Sequence, residues 1–398
     1  MGTGAPSAHS AWSIRPGVTY LNHGSFGPTP KVVMKARQEW SERVAAEPMD
    51  FLIRQMESQL DGAAEKLGKF VGCEGRDLLF VDNATFGMNI VVENTPLEPG
   101  DEILACDQEY GAVLRIWRRA CQKSGAKLVV RSLPAPITHA EEVADALLSG
   151  VTERTKLIVV SHVTSPTATV LPVELICRKG RERKIPVCVD GPHAVAMRPL
   201  QLAQLDCDFY AASCHKWLSA PIGSGFLYVT RRRQQTLKPA ITSWGGSLSG
   251  RPASWKDEFT WVGTRDPAAF LSVPAAIDFL ESYGIDKFRT ETHNLAQYAR
   301  ERIVAVTGIE PLLPDSLEWY GSMIALPLPL DEPPPTHRGW GHPLQRALWE
   351  RHQIETPILN AAGRWLIRVS CHLYNTRADI DKLADALATE LGIVTRSS

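Results

Sequence analysis

Short apolar runs alternate with longer segments of helical periodicity through the first two thirds of the chain. Each run is short enough for a strand buried on both faces, and the longer segments have the apolar spacing of amphipathic helices. The predicted strands are residues 78–81, 102–105, 128–130, 157–160, 187–189 and 226–229. The predicted helices between them are residues 85–93, 113–123, 140–148 and 173–184. This alternation is typical of a mostly parallel sheet with helices on both faces.

The two ends of the chain have a different pattern. Thr29 and Pro30 form a helix start, an N-cap followed by proline at the first helical position, and helices are predicted at 31–46 and 51–71. Towards the C-terminus, the predicted helices are residues 266–283, 287–306, 344–351 and 377–391, and the predicted strands are residues 322–326 and 365–369. We predict an α/β fold with a large domain at residues 28–268 and a smaller α+β domain made of residues 1–27 and 269–398.

Composition and charge narrow the class of protein. The chain has 398 residues, 44% of them hydrophobic and 22% charged, which is enough for a large core and two domains. A net charge of −1 gives no electrostatic basis for nucleic-acid or membrane partners, and no apolar run is long enough to span a bilayer. The eight cysteines form no C-x-x-C pair, and the N-terminus lacks a signal pattern. We therefore expect no metal site, no disulfides and a reducing cytoplasm.

Two charged residues follow predicted strands in the middle of the chain. Asp190 ends the run Pro186-Val-Cys-Val-Asp190, and Lys216 follows an apolar run ending in Phe209 and Tyr210. A lysine amine can form a Schiff base with pyridoxal 5'-phosphate (PLP), and an aspartate can pair with its pyridine nitrogen. Taken singly, Lys216 is more easily read as a solvated lysine and Asp190 as a turn cap. The two together, at strand ends with one strand-like segment between them, favour PLP binding.

The surrounding motifs resemble those of a known family. Asp190-Gly-Pro-His193 and Ser213-Cys-His-Lys216 resemble the class V aminotransferase family of fold-type I PLP enzymes. Further segments resemble an epimerase branch of that family; they are Leu21-Asn-His-Gly-Ser-Phe-Gly27 and residues 46–51, 206–210 and 243–245. The resemblance covers nearly the whole chain. It implies that the large domain binds PLP, that the N-terminal segment packs with the C-terminal domain, and that the protein is a homodimer with shared active sites.

The resemblance also assigns roles to individual positions. Lys216 is expected to carry the cofactor. The expected cofactor-binding residues are Ala84, Thr85, Tyr110, Ser165, Asp190, His193, Ser213, His215 and Thr264, the last contributed across a dimer interface. The expected substrate-binding residues are Arg368, Asn22, Ser25 and Trp244, and His23 is a further candidate for the pocket wall. Arg368 lies in an apolar strand, where it either binds a substrate carboxylate or forms a structural salt bridge; the resemblance favours the first.

Several of these positions have a physical rationale and an ordinary alternative. Ala84 and Thr85 open a helix, where backbone N–H groups suit a phosphate, although Asn83 before them is an ordinary N-cap. Tyr110 stands where many relatives carry a histidine stacked on the cofactor, and is equally compatible with a core aromatic. Thr164 or Ser165 stands near the position of an asparagine in relatives.

The family contains aminotransferases, cysteine desulfurases, carbon–sulfur lyases and an epimerase. A desulfurase needs a nucleophilic cysteine shortly before Arg368, and residues 355–364 contain none. We predict a PLP-dependent isomerase that inverts the α-carbon of an aminoadipyl-type or related amino-acid or peptide substrate, with Tyr110 as a candidate for the second acid. A carbon–sulfur lyase similar to cysteine desulfhydrases and an aminotransferase are the alternatives. A cofactor-free binding protein is disfavoured because both Asp190 and Lys216 are present.

Overall fold

The computed structural model of the chain describes residues 8–331 and 342–393. Residues 1–7, 332–341 and 394–398 of the predicted smaller domain lie outside this part. The strands of the described residues are β1 (Thr19–Tyr20), β2 (Leu78–Val81), β3 (Glu102–Cys106), β4 (Lys127–Arg131), β5 (Thr155–Ser161), β6 (Val187–Asp190), β7 (Phe209–Ser213), β8 (Gly225–Val229), β9 (Met323–Pro327), β10 (Ile354–Glu355), β11 (Ile358–Ala361) and β12 (Arg364–Ser370).

The α-helices of the same residues are α1 (Lys31–Ala46), α2 (Met56–Val71), α3 (Ala84–Glu93), α4 (Gly111–Ser124), α5 (Ala140–Leu148), α6 (Val173–Glu182), α7 (Leu202–Leu205), α8 (Arg231–Gln234), α9 (Asp257–Thr260), α10 (Ala268–Leu271), α11 (Val273–Tyr283), α12 (Ile285–Thr307), α13 (Pro343–His352) and α14 (Arg377–Glu390). Short 3₁₀ turns occupy Ala8–Ala11 and Gly75–Asp77, and a π-helical segment, Asp50–Gln55, precedes α2. Helix 266–283 of the sequence analysis is divided into α10 and α11, because a proline in the first turn of α11 cannot donate a backbone hydrogen bond.

The central sheet has seven strands in the order β2-β8-β7-β6-β5-β3-β4. The five strands from β7 to β4 in that order are parallel, and β8 runs antiparallel to both of its neighbours. The predicted α/β fold with a mostly parallel sheet flanked by helices is confirmed. The ligand-binding edge of such a sheet lies at the carboxyl ends of its parallel strands.

Helices cover both faces of this sheet. Successive side chains of a strand point to opposite faces, so Ile158 and Val160 of β5 belong to one hydrophobic cluster and Val159 belongs to another. Residues of α3 and α4 pack in the cluster of Val159, and residues of α5 and α6 pack in the other. The apolar runs of β3, β5, β6, β7 and β8 are therefore strands buried on both faces, whereas the run at 128–130 forms the partly exposed edge strand β4.

One strand differs from its expected position. The apolar run before Lys216 was expected to end at Tyr210, but β7 begins at Phe209 and continues to Ser213. Its small residues form a strand because β6 and β8 enclose them, with Ser213 opposite Gly225 of β8. Lys216 consequently lies three residues beyond the end of a central strand.

The C-terminal part of the chain builds a second, antiparallel sheet in the order β11-β12-β9. The N-terminal segment lies against it, because β1 pairs in parallel with β10 and the backbone N–H of Ser370 donates to the carbonyl oxygen of Leu21 (2.9 Å). The exact domain boundaries stay a prediction. Within the described residues no single helix is long and apolar enough to cross a membrane; α10–α11 and α12 meet that test only as a pair, bent by 75°.

Candidate active site

A cavity of about 570 Å³ opens at the carboxyl ends of β5, β6 and β7. This volume is typical of small-molecule sites. Its walls are Gly24, Ser25, Phe26, Asn83, Ala84, Thr85, Tyr110, Val113, Val163, Ser165, Asp190, Pro192, His193, Ser213, His215, Lys216, Ile222 and Arg368. All the predicted site residues except Asn22, His23, Trp244 and Thr264 line this cavity. Folding therefore brings together predicted residues that are up to 343 positions apart in the chain, Ser25 and Arg368.

Lys216 projects into the cavity beside His193, with 3.1 Å between Lys216 Nζ and His193 Nε2. The indole N–H of Trp217 donates to His193 Nδ1 (3.3 Å), so the neutral imidazole carries its proton on Nε2. Burial lowers the pKa of His193 well below its usual value. Burial and the charge of Arg368 also lower the pKa of Lys216. In this arrangement His193 donates to the lone pair of an unprotonated Lys216, which is the nucleophilic form of the amine.

Asp190 ends β6 on the floor of the cavity and is 5% exposed. Burial raises its pKa, the nearby Glu109 raises it further, and Lys216 lowers it. A buried carboxyl with raised proton affinity is suited to share a proton with a basic ring nitrogen. The predicted role of Asp190 towards the pyridine nitrogen is therefore compatible with its surroundings.

The opposite end of the cavity is formed by the first turn of α3 and the end of β7. Asn83 caps α3 by accepting from the N–H of Phe86 (3.0 Å), and the N–H of Ala84 donates to Ser213 Oγ (3.0 Å). His215 Nδ1 is buried without a hydrogen-bond partner in the described part of the chain. Burial, and then Lys216, lower the pKa of His215 to about 4. A helix start, a hydroxyl and an unpartnered ring nitrogen fit the phosphate of PLP.

Arg368 is 3% exposed, and its hydrogen-bond partners among the described residues are neutral oxygens. Its Nη1 donates to the carbonyl oxygen and Oγ of Ser165 (2.7 and 3.2 Å), and its Nη2 donates to Ser25 Oγ (2.6 Å) and Asn22 Oδ1 (3.3 Å). Within residues 8–331 and 342–393 it forms no ion pair, and its Nε has no partner. Burial lowers its pKa to about 10, so the side chain is charged near neutral pH. The structural salt bridge considered from sequence is absent from this part of the chain, and a buried, uncompensated cation is left facing the cavity.

Four predicted positions do not line the cavity. His23 does not form the cavity wall; it is fully buried behind it, with Nε2 2.9 Å from the carbonyl oxygen of Lys216 and Nδ1 2.8 Å from the hydroxyl of Tyr374. Trp244 is 84% exposed and Thr264 is also exposed, so neither reaches the cavity of its own chain. Asn22 is buried next to Arg368 and acts on the cavity through that side chain.

Sequence reasoning missed two features of the site. Glu109 is 4% exposed and is held by Ser161 at the end of β5, beside Asp190. A second cavity of about 450 Å³ shares Phe26 and Ile222 with the first, and these two side chains are 65% and 61% exposed. The glutamate adjoins Tyr110 in the sequence and could have been noticed there. No local pattern in the sequence predicts the second cavity.

Comparison with known proteins places the chain in a family. The model of the class V aminotransferase family matches residues 19–383, and the chain belongs to this family. It is 38% identical to isopenicillin N epimerase of Amycolatopsis lactamdurans, over 96% of this chain and 97% of that protein. It is 36% identical to isopenicillin N epimerase of Streptomyces clavuligerus, over 94% of this chain and 95% of that protein.

A solved structure supports the fold. The cystine C–S lyase C-DES has a TM-score of 0.78 and 21% identity, over 94% of this chain and 97% of that protein, and one of its structures has glycine covalently linked to the PLP cofactor. The class of protein that fold and site define is thus a PLP-dependent enzyme, and pyridoxal 5'-phosphate is its cofactor.

Proposed function

We propose that this chain is a PLP-dependent amino-acid epimerase that inverts the α-carbon of an aminoadipyl-type or related amino-acid or peptide substrate. The observation that carries the proposal is the convergence of Lys216, Asp190 and an uncompensated Arg368 on one cavity. The two relatives named isopenicillin N epimerase, which match over almost the whole chain, support the type of reaction. Isopenicillin N is therefore the first substrate to test.

Different residues of the site act on the cofactor and on the substrate. When bound, PLP withdraws electrons from the α-carbon of an attached amino acid and so acidifies its α-proton. Lys216 attaches the cofactor and afterwards holds or moves a proton at Nζ, where His193 Nε2 lies 3.1 Å away. Arg368 orients the substrate carboxylate so that the Cα–H bond faces Lys216.

Inversion requires a proton donor on the second face of the α-carbon. Tyr110 lines the cavity, and its ring centroid lies 5.9 Å from Lys216 Nζ, so the tyrosine would contact a flat cofactor that Lys216 holds there. We assign the second face to the Tyr110 hydroxyl. In D₂O, Tyr110→Phe should still exchange the α-hydrogen through Lys216 but should invert the α-carbon much more slowly. Inversion at the wild-type rate would remove Tyr110 from this role.

The decisive experiment follows the fate of the α-carbon in the holoenzyme. Chiral chromatography of isopenicillin N, L-2-aminoadipate and L-cysteine after incubation should show D-configured product from the aminoadipyl substrates. Lys216→Ala should abolish turnover and the visible absorption that borohydride removes. Sulfide and pyruvate from cysteine would indicate the carbon–sulfur lyase instead, and a keto acid would indicate an aminotransferase. A desulfurase stays disfavoured, because no cysteine lines the cavity within the described residues and Cys371 is fully buried.

We also propose a homodimer in the cytoplasm. Thr264 and Trp244 are exposed and lie outside the cavity of their own chain, which is compatible with contribution to the site of a second copy. Eight free cysteines, seven of them buried, suit a reducing compartment. Sedimentation velocity of the holoenzyme tests the dimer, and a mass of a single chain would contradict it.

A further inference from the structure

Glu109 is a buried carboxyl that the reaction proposed above does not use. Its Oε1 accepts hydrogen bonds from the backbone N–H of Ser161 (3.0 Å) and the thiol of Cys106 (3.0 Å), and its Oε2 accepts from the hydroxyl of Ser161 (2.5 Å). No cation forms an ion pair with it in the part of the chain that the structure describes. Burial raises the pKa of Glu109, and the hydrogen bonds from Ser161 and Cys106 act in the opposite direction by favouring the carboxylate.

Ser161 connects Glu109 to Asp190. Ser161 ends β5 and is the register partner of Asp190 at the end of β6, and neighbouring strands lie about 4.8 Å apart. The N–H of His162 donates to the carbonyl oxygen of Asp190 (2.8 Å), which continues the ladder beyond this pair. Glu109 is therefore anchored to the residue beside Asp190, and both carboxyls are buried (4% and 5% exposed).

Among the groups around Asp190, Glu109 is the carboxyl whose charge would act on it. Burial raises the pKa of the thiols of Cys106 and Cys188 well above the usual value, so both are neutral near pH 7. Burial raises the pKa of Asp190 most, and Glu109 raises it further. The charge of Lys216 lowers the pKa of Asp190 by a smaller amount than either. A carboxylate near a second carboxyl in a low-dielectric region raises the proton affinity of that second carboxyl.

We propose that Glu109 is a positioning residue that acts through Asp190, its negative charge holding the proton on the pyridine nitrogen of the cofactor. The inference rests on the proposed role of Asp190 towards that nitrogen. Loss of the charge makes the proton easier to lose and weakens electron withdrawal from the substrate α-carbon. If Glu109 only anchored the end of β5, removing its charge would not change the protonation of the pyridine nitrogen.

The test uses holoenzyme reconstituted with PLP labelled with ¹⁵N in the ring. Glu109→Gln keeps the shape and removes the charge, and the ¹⁵N resonance should move towards that of an unprotonated pyridine. The same variant should lower kcat by about tenfold, since removing one charge from a buried site shifts the proton affinity of a nearby group by about that factor or more. Glu109→Asp keeps the charge but loses the reach to Ser161, and its resonance should stay close to wild type.

Two controls separate the possible failures. Asp190→Ala should give the resonance of an unprotonated pyridine; if it does not, the assignment of Asp190 fails and this role of Glu109 fails with it. Glu57→Gln removes another buried carboxylate, held by Ser247, Ser249 and Arg251 outside the cavity, and should leave the resonance unchanged.

If the ¹⁵N resonance shifts in Asp190→Ala but not in Glu109→Gln, the proposed role of Glu109 is wrong and that of Asp190 stands. An equal shift in Glu109→Asp and Glu109→Gln would do the same, because it would show that geometry and not charge matters. If Glu109→Gln does not fold, Ser161→Ala removes one donor from the carboxylate. It should shift the resonance in the same direction by a smaller amount, and no shift would overturn the proposal.

Discussion

Replacing Arg368 by methionine tests whether this side chain binds substrate or stabilises the fold. Methionine fills a similar volume without the charge. A hydrogen bond to a charged group contributes about 1.5–3 kcal/mol, so a carboxylate held by two N–H groups loses about 3–6 kcal/mol. At about 1.4 kcal/mol per factor of ten, kcat/KM should fall by about 10²–10⁴-fold. Part of the loss should appear in kcat, because a misoriented Cα–H bond raises the free energy of the transition state.

The same variant should change stability little. The partners of Arg368 are neutral oxygens on Ser165, Ser25 and Asn22, and its buried charge has no counterion in the described residues. Removing that charge relieves a desolvation cost and offsets the lost hydrogen bonds. We expect a thermal midpoint within a few degrees of wild type. Arg368→Lys keeps the charge without the planar fork and should lose nearly as much kcat/KM.

Arg251→Met is the matched control. Arg251 pairs with the buried carboxylates Glu57 (3.0 Å) and Asp257 (2.9 Å), outside the cavity. Removing it leaves two buried carboxylates uncompensated, which should lower the thermal midpoint by several degrees with KM unchanged. Steady-state kinetics and thermal unfolding of both variants show whether Arg368 binds the substrate or stabilises the fold. Marked destabilisation of Arg368→Met with an unchanged KM would refute the reasoning and leave the substrate carboxylate without a partner.

Two further predictions concern pH and substrate size. Burial lowers the pKa of His23 from 6.5 to about 3, so between these values the unfolded chain binds a proton that the folded chain does not, and the free energy of unfolding falls as the pH falls. In urea unfolding of the apoprotein, His23→Gln should make this fall shallower by up to about 1.4 kcal/mol per pH unit; an unchanged slope would mean that His23 titrates normally in the folded state. Ile222→Trp should narrow the passage between the two cavities and lower kcat/KM about tenfold or more for isopenicillin N, but not for free 2-aminoadipate. Equal losses for both substrates would mean that the second cavity takes no part in binding.

Much of the secondary structure was predictable because its causes are local. Predicted elements at 31–46, 78–81 and 140–148 coincide with α1, β2 and α5 in the structure. The predicted N-cap of α1 is wrong by one position. Pro30 is the N-cap residue, with an extended backbone (ψ 149°), and Lys31 is the first helical residue; the hydroxyl of Thr29 donates to the carbonyl oxygen of Ala220 instead of capping the helix. Strand β7 was also misplaced, because Ala211, Ala212 and Ser213 have no strong strand pattern of their own. They are a strand because β6 and β8 provide partners on either side.

The sequence by itself determined the family, the cofactor and most of the residues that line the cavity, since the lysine and aspartate motifs are short and continuous. Only the tertiary structure decided how those residues are paired. Among the residues that the structure describes, Arg368 has no carboxylate partner, because folding surrounds it with Asn22, Ser25 and Ser165, which are 346, 343 and 203 positions away in the chain. Glu109 acts beside Asp190 because β3, β5 and β6 are neighbours in the sheet, although not in sequence. Contacts of this kind depend on strand order and register, and no local pattern of residues encodes either.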